Sequence, residues 1–302
     1  MATSAAARKG RLNQPAALDL ASVAIIGGPT KSNCRLEAEW RARRYRAALR
    51  SPSGALHALG PGDVALVRLD VLPTLDGVEA GLETVRLLVG CGVRVLNPPD
   101  VLLAAHDKLV TCGRLSGAGV RQPWWSHAPD LAALAAVSLP CVVKPRFGSW
   151  GLDVFLCRTR AELAETVCTV AERPWFYRYG ALVQELLPTP GHDLRVLVAG
   201  GRVSGAARRI AAPGEWRTNV ALGGSLERVF ELPDEAASLS LAATAAAGTD
   251  FVGVDLLPLD DGFVVVELNG AAEFDERYSL RDANVYADIA AALKLPHADG
   301  AM

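Results

Sequence analysis

The chain has 302 residues, half of them hydrophobic, and a formal net charge of −2. This length suits one large α/β domain or two to three smaller ones, and the near-neutral charge argues against a nucleic-acid partner. The six scattered cysteines without a CxxC pair indicate reduced thiols in a cytoplasmic protein, and no apolar run reaches the roughly 18 residues that a membrane span requires.

The N-terminal third of the chain predicts a parallel α/β domain after a flexible leader. Residues 1–20 are alanine-rich and lack the apolar core of a secretory signal. Residues 21–100 then read as strand VAIIGG, helix RLEAEWRARRYRAAL, strand VALVRLD, a helix near 78–89 and strand VRVLN. Polar side chains at strand ends of such sheets commonly bind ligands. The candidate substrate-binding residues here are Lys31, Asn33, Arg35, Arg68 and Asp70.

Residues 101–187 predict a small α+β unit. A helix over 102–120 and a short helix DLAALAAV precede strand PCVVK, a glycine-containing loop and strand VFLC, and a helix near 160–172 and strand ALVQELLP follow. Because glycine has no Cβ, Gly148 and Gly151 allow backbone amides to approach an anion beside Lys144. A surface turn with a solvated lysine is the alternative, and it is the better interpretation of a lone GxxG. The Walker pattern GxxxxGK[ST] is absent.

Residues 188–302 predict a second α+β unit. It begins with the hairpin DLRVLVAGGRVSGAARRI, which a charged loop to residue 225 follows. A helix near 234–248, the hairpin GVDLLPLDDGFVVVELNG and a helix near 283–293 complete the order.

The second of these hairpins carries a carboxylate in the middle of each strand. A three-residue turn, DDG, pairs Leu257 with Val265 and places Asp255 opposite Glu267. At ~5 Å and an effective dielectric of ~20, the two charges repel by about 3 kcal/mol. Solvent exposure, protonation of one carboxyl, or a divalent cation bound by Asp255, Glu267 and Asn269 would each relieve this repulsion. Oxygen ligands without nearby His or Cys fit Mg²⁺ or Mn²⁺, and Mg²⁺ usually accompanies phosphate.

Seven pieces of sequence, taken in order, resemble the ATP-grasp ligases. They are Lys108, Lys144 with its glycine loop, VQEL, HDLR, RR followed by RTN, a strand aspartate, and ExN, and they span about residues 102–269. The group that includes the ribosomal-protein glutamate-adding ligase and the lysine-biosynthesis carrier-protein ligase is the most similar. The resemblance implies an N-terminal parallel α/β lobe, a central α+β lobe and a C-terminal α+β lobe, with ATP between the last two.

The resemblance also implies roles for individual residues. Arg209, which would stabilise a developing acyl phosphate, and Lys144 would be catalytic. Asp255, Glu267 and Asn269 would hold Mg²⁺ or Mn²⁺, as two ions. Gln184, Glu185 and Leu186 would form the adenine-side hinge, Asp193 would lie near the ribose, and Arg217 and Asn219 near the γ-phosphate. The full ATP-binding set would be Lys108, Lys144, Gly148, Ser149, Trp150, Gly151, Gln184, Glu185, Leu186, Asp193, Arg217 and Asn219.

The implied activity is ATP- and Mg-dependent ligation. A small carboxylate of amino-acid type would become an acyl phosphate and then join a nitrogen nucleophile, with release of ADP and phosphate. One alternative is an intramolecular ligase of the D-cycloserine type, and another is a non-catalytic ATP sensor, which has no need to retain Arg209. A Ser/His/Asp hydrolase is disfavoured because no nucleophile-elbow motif is present. The expected partners are small carboxylates and amines, and the sequence does not decide whether the chain forms a homo-oligomer.

The chain departs from this group after ExN. The group continues with a small residue, proline and glycine, whereas here the sequence continues GAAEFDERYSL. Glu273 and Asp275 in this stretch are candidates to bind the ammonium group of an amino acid. A solvated loop is an equally good interpretation of the same residues.

Overall fold

The computed structural model describes residues 21–188 and 190–297, so the predicted leader over 1–20 lies outside the described residues. Three β-sheets organise the described chain. The mixture of one parallel and two antiparallel sheets with helices confirms the predicted combination of α/β and α+β architecture. The division at residues 100 and 187 stays a prediction. In the described part of the chain, no helix is long and apolar enough to cross a membrane.

The first sheet is parallel, with strand order β2-β1-β3-β4. Its two central strands are apolar and buried along their whole length, as is typical of a sheet with both faces covered. Its elements are β1 (Val23–Ile26), α1 (Lys31–Ala42), β2 (Ala47–Arg50), α2 (Pro52–Ala58), β3 (Val64–Val67), α3 (Leu82–Gly90) and β4 (Arg94–Leu96).

The first predicted helix, over residues 35–49, was wrong at both ends. The hydroxyl of Thr30 accepts a hydrogen bond from the backbone N–H of Asn33 at 3.3 Å, and α1 therefore begins at Lys31. Arg44 adopts a left-handed backbone conformation, with φ of 64°, which stops helical propagation. The apolar residues that follow form β2 instead of a last helical turn.

The second sheet is antiparallel, with strand order β5-β8-β6-β7. Strand β5 and helix α8 were not predicted. The elements of this region are α4 (Pro99–His106), α5 (Lys108–Gly117), β5 (Trp125–Ala128), α6 (Leu131–Ala135), β6 (Cys141–Pro145), β7 (Phe155–Cys157), α7 (Arg160–Val170), α8 (Pro174–Tyr179) and β8 (Ala181–Glu185).

The single helix predicted over 102–120 is two helices separated by Asp107. This residue has extended backbone angles, φ −82° and ψ 100°, and its carboxylate accepts a hydrogen bond from the N–H of Leu109 at 3.1 Å. An aspartate in this position caps the helix that follows it. The break therefore places Lys108 in the first turn of α5, where its side chain points to the loop after β6.

The third sheet is antiparallel, with strand order β11-β10-β9-β12-β13. The two predicted hairpins are β9 with β10 and β12 with β13, whereas strand β11 lies beyond the predicted loop and was not predicted. The elements are β9 (His192–Ala199), β10 (Arg202–Ile210), β11 (Ser225–Arg228), α9 (Asp234–Ala247), β12 (Phe251–Leu259), β13 (Gly262–Asn269) and α10 (Val285–Ala292).

The β12–β13 hairpin reaches the predicted carboxylate pair by a different register. Leu259 pairs with Gly262, so the turn has two residues, and Leu257 pairs with Val264 rather than with Val265. The register then shifts by one residue before Asp255, which restores Asp255 opposite Glu267. The predicted three-residue turn was wrong. The predicted carboxylate pair is confirmed, because the residue that the turn lacks is instead inserted in β13 as a bulge.

The hydrophobic core on the two faces of β9 explains where the polar residues of this sheet lie. Val196 and Val198 belong to a cluster with α9, while Leu197 and Ala199 pack on the other face with Trp40 from α1. Because side chains alternate along a strand, Asp193 and Arg195 share the face of Leu197. At the end of β9 away from the first sheet, this face is therefore charged.

Candidate active site

Two adjoining cavities lie between the second and third sheets. The first cavity is bounded by β6, the loop 146–151, the end of β8, and the charged face of the third sheet. The second cavity lies beside it, towards the first sheet and the stretch GAAEFDERYSL. Four residues line both cavities, which makes them one continuous cleft: Ser149, Arg209, Asn219 and Glu267.

The structure gathers the predicted catalytic, ATP and metal residues around this cleft. Two of them, Trp150 and Asn269, line only the second cavity. The others line the first cavity: Lys108, Lys144, Gly148, Ser149, Gly151, Gln184, Glu185, Leu186, Asp193, Arg209, Arg217, Asn219, Asp255 and Glu267. Their roles remain predictions, but the residues are in one place.

Lys108 is positioned by the helix break at Asp107. Its ammonium group donates a hydrogen bond to the carbonyl of Gly148 at 2.7 Å and lies 3.6 Å from the Glu267 carboxylate. Asp107 also forms an ion pair with Arg146, and the backbone N–H of Lys108 donates to the carbonyl of Arg146 at 3.0 Å. The start of α5 and the loop after β6 are thus joined, with a cation between the loop and the carboxylate pair.

Lys144 enters the same cavity from β6. Its side chain is almost fully buried, and burial lowers its pKa, an effect that the negative charge of Glu267 partly offsets. A lysine ammonium that is removed from water and has only partial compensation interacts strongly with any anion that enters. The cavity therefore favours a polyanionic ligand at this end.

A network of arginines and aspartates covers the end of β9. Arg195 binds both oxygens of Asp255 with two hydrogen bonds of 2.7 Å, and Arg209 adds a third at 2.8 Å. Arg209 also holds Asp193, which accepts a further hydrogen bond from Thr218 at 2.5 Å. The strand register dictates these contacts, because Arg195 lies directly between Ala207 of β10 and Asp255 of β12.

This network resolves the repulsion between the paired carboxylates. Burial disfavours the charged form of Asp255, but the charges of Arg195 and Arg209 outweigh burial and hold its pKa well below the usual range. Glu267 has Lys108 as its neighbouring cation. Neither protonation nor solvent exposure is needed. Guanidinium and ammonium groups compensate the two negative charges, an arrangement that was not predicted from the sequence.

The glycine loop after β6 is docked onto the segment that contains RTN. Arg217 donates a hydrogen bond to the carbonyl of Gly151 at 2.8 Å and forms an ion pair with Glu215 at 2.7 Å. Hydrogen bonds from Arg217 lower the pKa of Glu215 to about 2. Gly151 has a φ of 73°, and a Cβ there would lie 2.7 Å from Oδ1 of Asn219. Glycine is therefore required for this close approach.

The far end of the first cavity is apolar. Val142, Leu186 and Leu257 line it from three different strands or strand ends. Glu185 is held by a hydrogen bond of 2.7 Å from the backbone N–H of Trp124 to its carboxylate, while Gln184 is buried and donates to the sulfur of Cys112 at 3.8 Å. An apolar slot beside a strand end can take a planar aromatic base.

The predicted metal ligands suit a hard cation in chemistry and placement. Glu267 and Asn269 are two residues apart on β13 and therefore lie on the same face, and Asp255 is opposite Glu267. All three side chains offer oxygen ligands, as Mg²⁺ prefers. Both oxygens of Asp255 accept hydrogen bonds from guanidinium groups, and Oδ1 of Asn269 accepts one from the N–H of Ala271 at 3.1 Å. A bound cation would therefore replace existing contacts of Asp255.

The predicted substrate residues divide into two sets. Four of them line the second cavity: Lys31, Asp70, Glu273 and Asp275. Three do not line either cavity. Arg35 lies on the surface beside Glu39 at 3.2 Å, and Arg68, which is 2% exposed, donates to Asn33 at 2.5 Å and to the carbonyl of Ala272 at 2.7 Å. Asn33 and Arg68 thus support the chain behind the cavity.

The second cavity has charged groups of both signs. Ser32 at the start of α1 donates to Glu273 at 2.9 Å, and Asp275 forms an ion pair with Arg277 at 2.5 Å. Burial raises the pKa of Asp70 to about 6, because the opposing hydrogen bond from the N–H of Val71 and the charge of Arg68 are smaller effects. The second cavity is therefore able to bind a ligand that itself carries both charges.

Sequence reasoning missed several residues that line this cleft. The missed residues with polar side chains are His192, Arg195, Thr218 and Tyr278, with Trp216 on the first cavity. Arg195 was within the quoted motif HDLR and shares a strand face with Asp193. The alternation of side chains along β9 could have identified it.

Comparison with protein families identifies the fold. A model of the RimK-like ATP-grasp domain matches residues 126–293. The chain belongs to the RimK-like ATP-grasp family. The predicted resemblance is thereby confirmed. Within the family, the chain is 31% identical over 228 residues to the glutamate–LysW ligase ArgX of Sulfurisphaera tokodaii, which covers 72% of this chain and 76% of that protein.

Other relatives are longer than this chain. It is 32% identical to the beta-citrylglutamate synthase B of Mus musculus over 227 residues, which are 71% of this chain and 57% of that protein. The match to the N-acetylaspartylglutamate synthase A of Homo sapiens, at 31% identity, covers 76% of this chain and 60% of that protein. The chain thus spans about three fifths of the length of these two relatives.

Solved structures share the fold at low sequence identity. The D-cycloserine synthetase DcsG superimposes with a TM-score of 0.69 at 18% identity, covering 91% of this chain and all of that one. A RimK domain ATP-grasp protein from Sphaerobacter thermophilus gives a TM-score of 0.65 at 22% identity, covering 90% and 99%. These two likenesses extend over nearly the whole chain and concern the fold alone.

Proposed function

We propose that this protein is an ATP- and Mg-dependent carboxylate–amine ligase. The observation that supports it most directly is the convergence of Lys108, Lys144 and Arg209 on a cleft that holds the paired carboxylates Asp255 and Glu267. Cations around a metal-competent carboxylate pair are what phosphoryl transfer requires, because that reaction depends on positioning and on charge neutralisation. The continuation of the cleft into a second cavity provides room for an acid beside the phosphates.

The chemistry of the first cavity supports it as the ATP site. We assign the base to the apolar slot of Val142, Leu186 and Leu257, and the phosphates to the side of Lys108 and Lys144. The loop over 146–151 covers the phosphates, since Arg217 already fastens it across the cleft through Gly151. This arrangement puts the γ-phosphate at the junction of the two cavities, where Arg209 and Asn219 line both.

The metal requirement is assigned to Asp255, Glu267 and Asn269. A Mg²⁺ ion bound there would neutralise phosphate charge and orient the γ-phosphate. We assign two ions to this set, which Asp255, Glu267 and Asn269 would hold together with the phosphates of ATP.

The reaction follows from the arrangement of charges. An oxygen of the substrate carboxylate attacks the γ-phosphorus, the bond from phosphorus to the bridging oxygen breaks, and ADP leaves. The acyl phosphate formed is then attacked at its carbonyl carbon by an amine nitrogen, which loses a proton as phosphate departs. Arg209, which contacts both Asp193 and Asp255, is placed to stabilise the negative oxygen that develops in these steps.

The substrate class that best fits the second cavity is an amino acid. A zwitterion matches a wall that carries Asp70 and Glu273 together with Lys31 and Arg277. Two relatives are named for glutamate ligation, ArgX and a tetrahydromethanopterin:alpha-L-glutamate ligase of Methanosarcina acetivorans. The nitrogen nucleophile is assigned to a second small molecule. The six cysteines, all free, support a cytoplasmic location.

A panel assay for ADP release tests the proposal. Purified protein with Mg·ATP is offered the common L- and D-amino acids, citrate and N-acetylaspartate, each alone and with an amine panel. We expect at least one acid–amine pair to raise ADP release at least tenfold over protein with Mg·ATP alone, with one amide formed per ADP. Tight binding of Mg·ATP without stimulation by any pair would favour an ATP sensor instead. A product formed from one compound alone would make the ligation intramolecular.

A further inference from the structure

Arg195 lies at the boundary between the metal-competent carboxylates and the second cavity. Its Nε and Nη2 atoms bind the two oxygens of Asp255 at 2.7 Å each, and the residue is only 8% exposed. Arg195 nevertheless lines the second cavity, in which the acid substrate is proposed to lie. Within the described residues, Asp255 is the one carboxylate that it contacts.

Asp255 cannot keep all its hydrogen bonds from two arginines while it also binds a cation. Both of its oxygens accept hydrogen bonds from guanidinium groups, and Arg195 takes one on each. A divalent ion that binds Asp255 would place a positive charge next to two arginines in a buried site, where repulsion is weakly screened. Binding of the ion therefore weakens the hold of Arg195 on Asp255.

Arg209 and Arg195 respond differently to this exchange. Arg209 keeps Asp193, to which it donates two hydrogen bonds, so it stays paired when Asp255 binds a cation. Arg195 has no second carboxylate. Its neighbour on β10 is Ala207, whose side chain offers neither a charge nor a hydrogen-bond acceptor. A buried arginine that loses its only carboxylate requires a new anion.

The charges at the junction indicate what this anion is. Among the charged side chains that line the two cavities, those grouped around Asp255 and Glu267 are four cations, Lys108, Lys144, Arg195 and Arg209, and three carboxylates, Asp193, Asp255 and Glu267. Mg·ATP brings cations and phosphates that largely compensate each other. The surplus of one positive charge therefore corresponds to one monoanionic group, and the carboxylate that is to be activated has this charge.

We propose that Arg195 is a substrate-binding residue that exchanges its partner: it holds Asp255 in the free protein and binds the carboxylate of the acid substrate once the metal has bound Asp255. The inference rests on the proposed function for the identity of this carboxylate. It makes ordered binding a property of the fold, because the acid gains its guanidinium partner only after the metal arrives. A planar guanidinium fork suits both partners, since each is a carboxylate.

Metal binding without turnover provides the first test. Mn²⁺ alone is titrated into the wild type, Arg195→Gln and the control Arg208→Gln, and free Mn²⁺ is measured by electron paramagnetic resonance. Arg208 is an exposed arginine on the same hairpin, 3.4 Å from Glu227. We expect Arg195→Gln to bind Mn²⁺ about tenfold more tightly than the wild type, because a competing positive charge is gone. Arg208→Gln binds it as the wild type does. Equal or weaker Mn²⁺ binding by Arg195→Gln overturns the exchange.

Steady-state kinetics provides the second test. With the acid that gives the fastest ADP release, Arg195→Gln and Arg195→Lys both raise the KM for that acid at least tenfold and leave the KM for ATP within about twofold. Arg195→Lys keeps the charge and serves if the glutamine variant does not fold. An unchanged KM for the acid overturns the inference. If the wild type releases no ADP with any acid, the proposed function fails, while the Mn²⁺ titration still decides whether Arg195 competes for Asp255.

Discussion

Asp255 and Asp70 are carboxylates in the first and second cavities, one buried and one half-buried, and their environments are opposite. Asp255 is held by two guanidinium groups, which lower its pKa despite burial. Asp70 accepts a backbone hydrogen bond from Val71, while the nearby Arg68 donates to Asn33 and Ala272 instead, and burial raises the pKa of Asp70 to about 6. The charge of Asp255 is thus compensated by the protein itself, whereas the charge of Asp70 is not.

Removing the charge of Glu267 should have the largest effect on activity. Glu267→Gln keeps the shape of the side chain but removes a metal ligand charge opposite Asp255. We expect ADP release to fall by about three orders of magnitude or more, because charge neutralisation is the main contribution of such a site. The melting temperature should stay within about 3 °C of the wild type, since Glu267 is only partly buried. Glu227→Gln, on an exposed strand, is the matched control. ADP release near the wild-type rate would remove Glu267 from the metal site.

Removing the charge of Asp255 should reduce stability in addition to activity. Asp255→Asn leaves Arg195 without its carboxylate and Arg209 with Asp193 alone, both in a buried position. Breaking a buried ion pair on one side costs about 3 kcal/mol or more. Urea unfolding of Asp255→Asn and Glu267→Gln should therefore separate the two neighbouring carboxylates. A loss below about 1 kcal/mol for Asp255→Asn would mean that the guanidinium network contributes little to folding.

Removing the charge of Asp70 should raise the free energy of unfolding, the opposite of the effect expected at Asp255. Its folded pKa of about 6 lies above the unfolded value of about 3.9. The folded state therefore holds its proton more tightly, and this contribution is complete below about pH 4 and lost as the pH rises through 6. At pH 7.5, Asp70→Asn should be more stable than the wild type by about 2 kcal/mol, with no difference near pH 4. Urea unfolding across this range measures it, and a pH-independent difference would contradict the burial of an ionised Asp70.

The smallest expected effect concerns the loop that joins the two cavities. Arg217→Met removes the hydrogen bond to Gly151 and the ion pair with Glu215. We expect the KM for ATP to rise about tenfold with the KM for the acid little changed, because the loop covers the phosphates only. Limited proteolysis should cleave the loop faster in the variant. Equal rates of proteolysis would show that Arg217 does not fasten it.

The ordered sequence pieces contain many of the residues that line the first cavity, because these residues lie at strand ends, turns or helix starts, or alternate along one strand, where a local pattern reveals them. Lys144 follows an apolar strand, and Glu267 and Asn269 alternate on one strand. The bulge in β13 and the break at Asp107 were beyond prediction. The first depends on how β13 packs, and the second on the fit of α5 to the loop after β6.

The second cavity was predicted less well. Arg195 was missed because its contact with Asp255 depends on the register of two strands that are 60 residues apart in sequence. Asn33 and Arg68 were selected by the rule that strand ends bind ligands, but they bond to each other and to Ala272. Polarity at a strand end does not distinguish a side chain that faces a cavity from one that supports the backbone behind it.

The central claim, that an acid in the second cavity receives the γ-phosphate from ATP in the first, has a direct measurement. The acid found in the ADP-release panel is prepared with both carboxylate oxygens as ¹⁸O, and the released phosphate is analysed by mass spectrometry. Transfer through an acyl phosphate predicts one ¹⁸O atom in each phosphate. Phosphate without the label would mean that water or the amine attacks ATP, which would contradict the account.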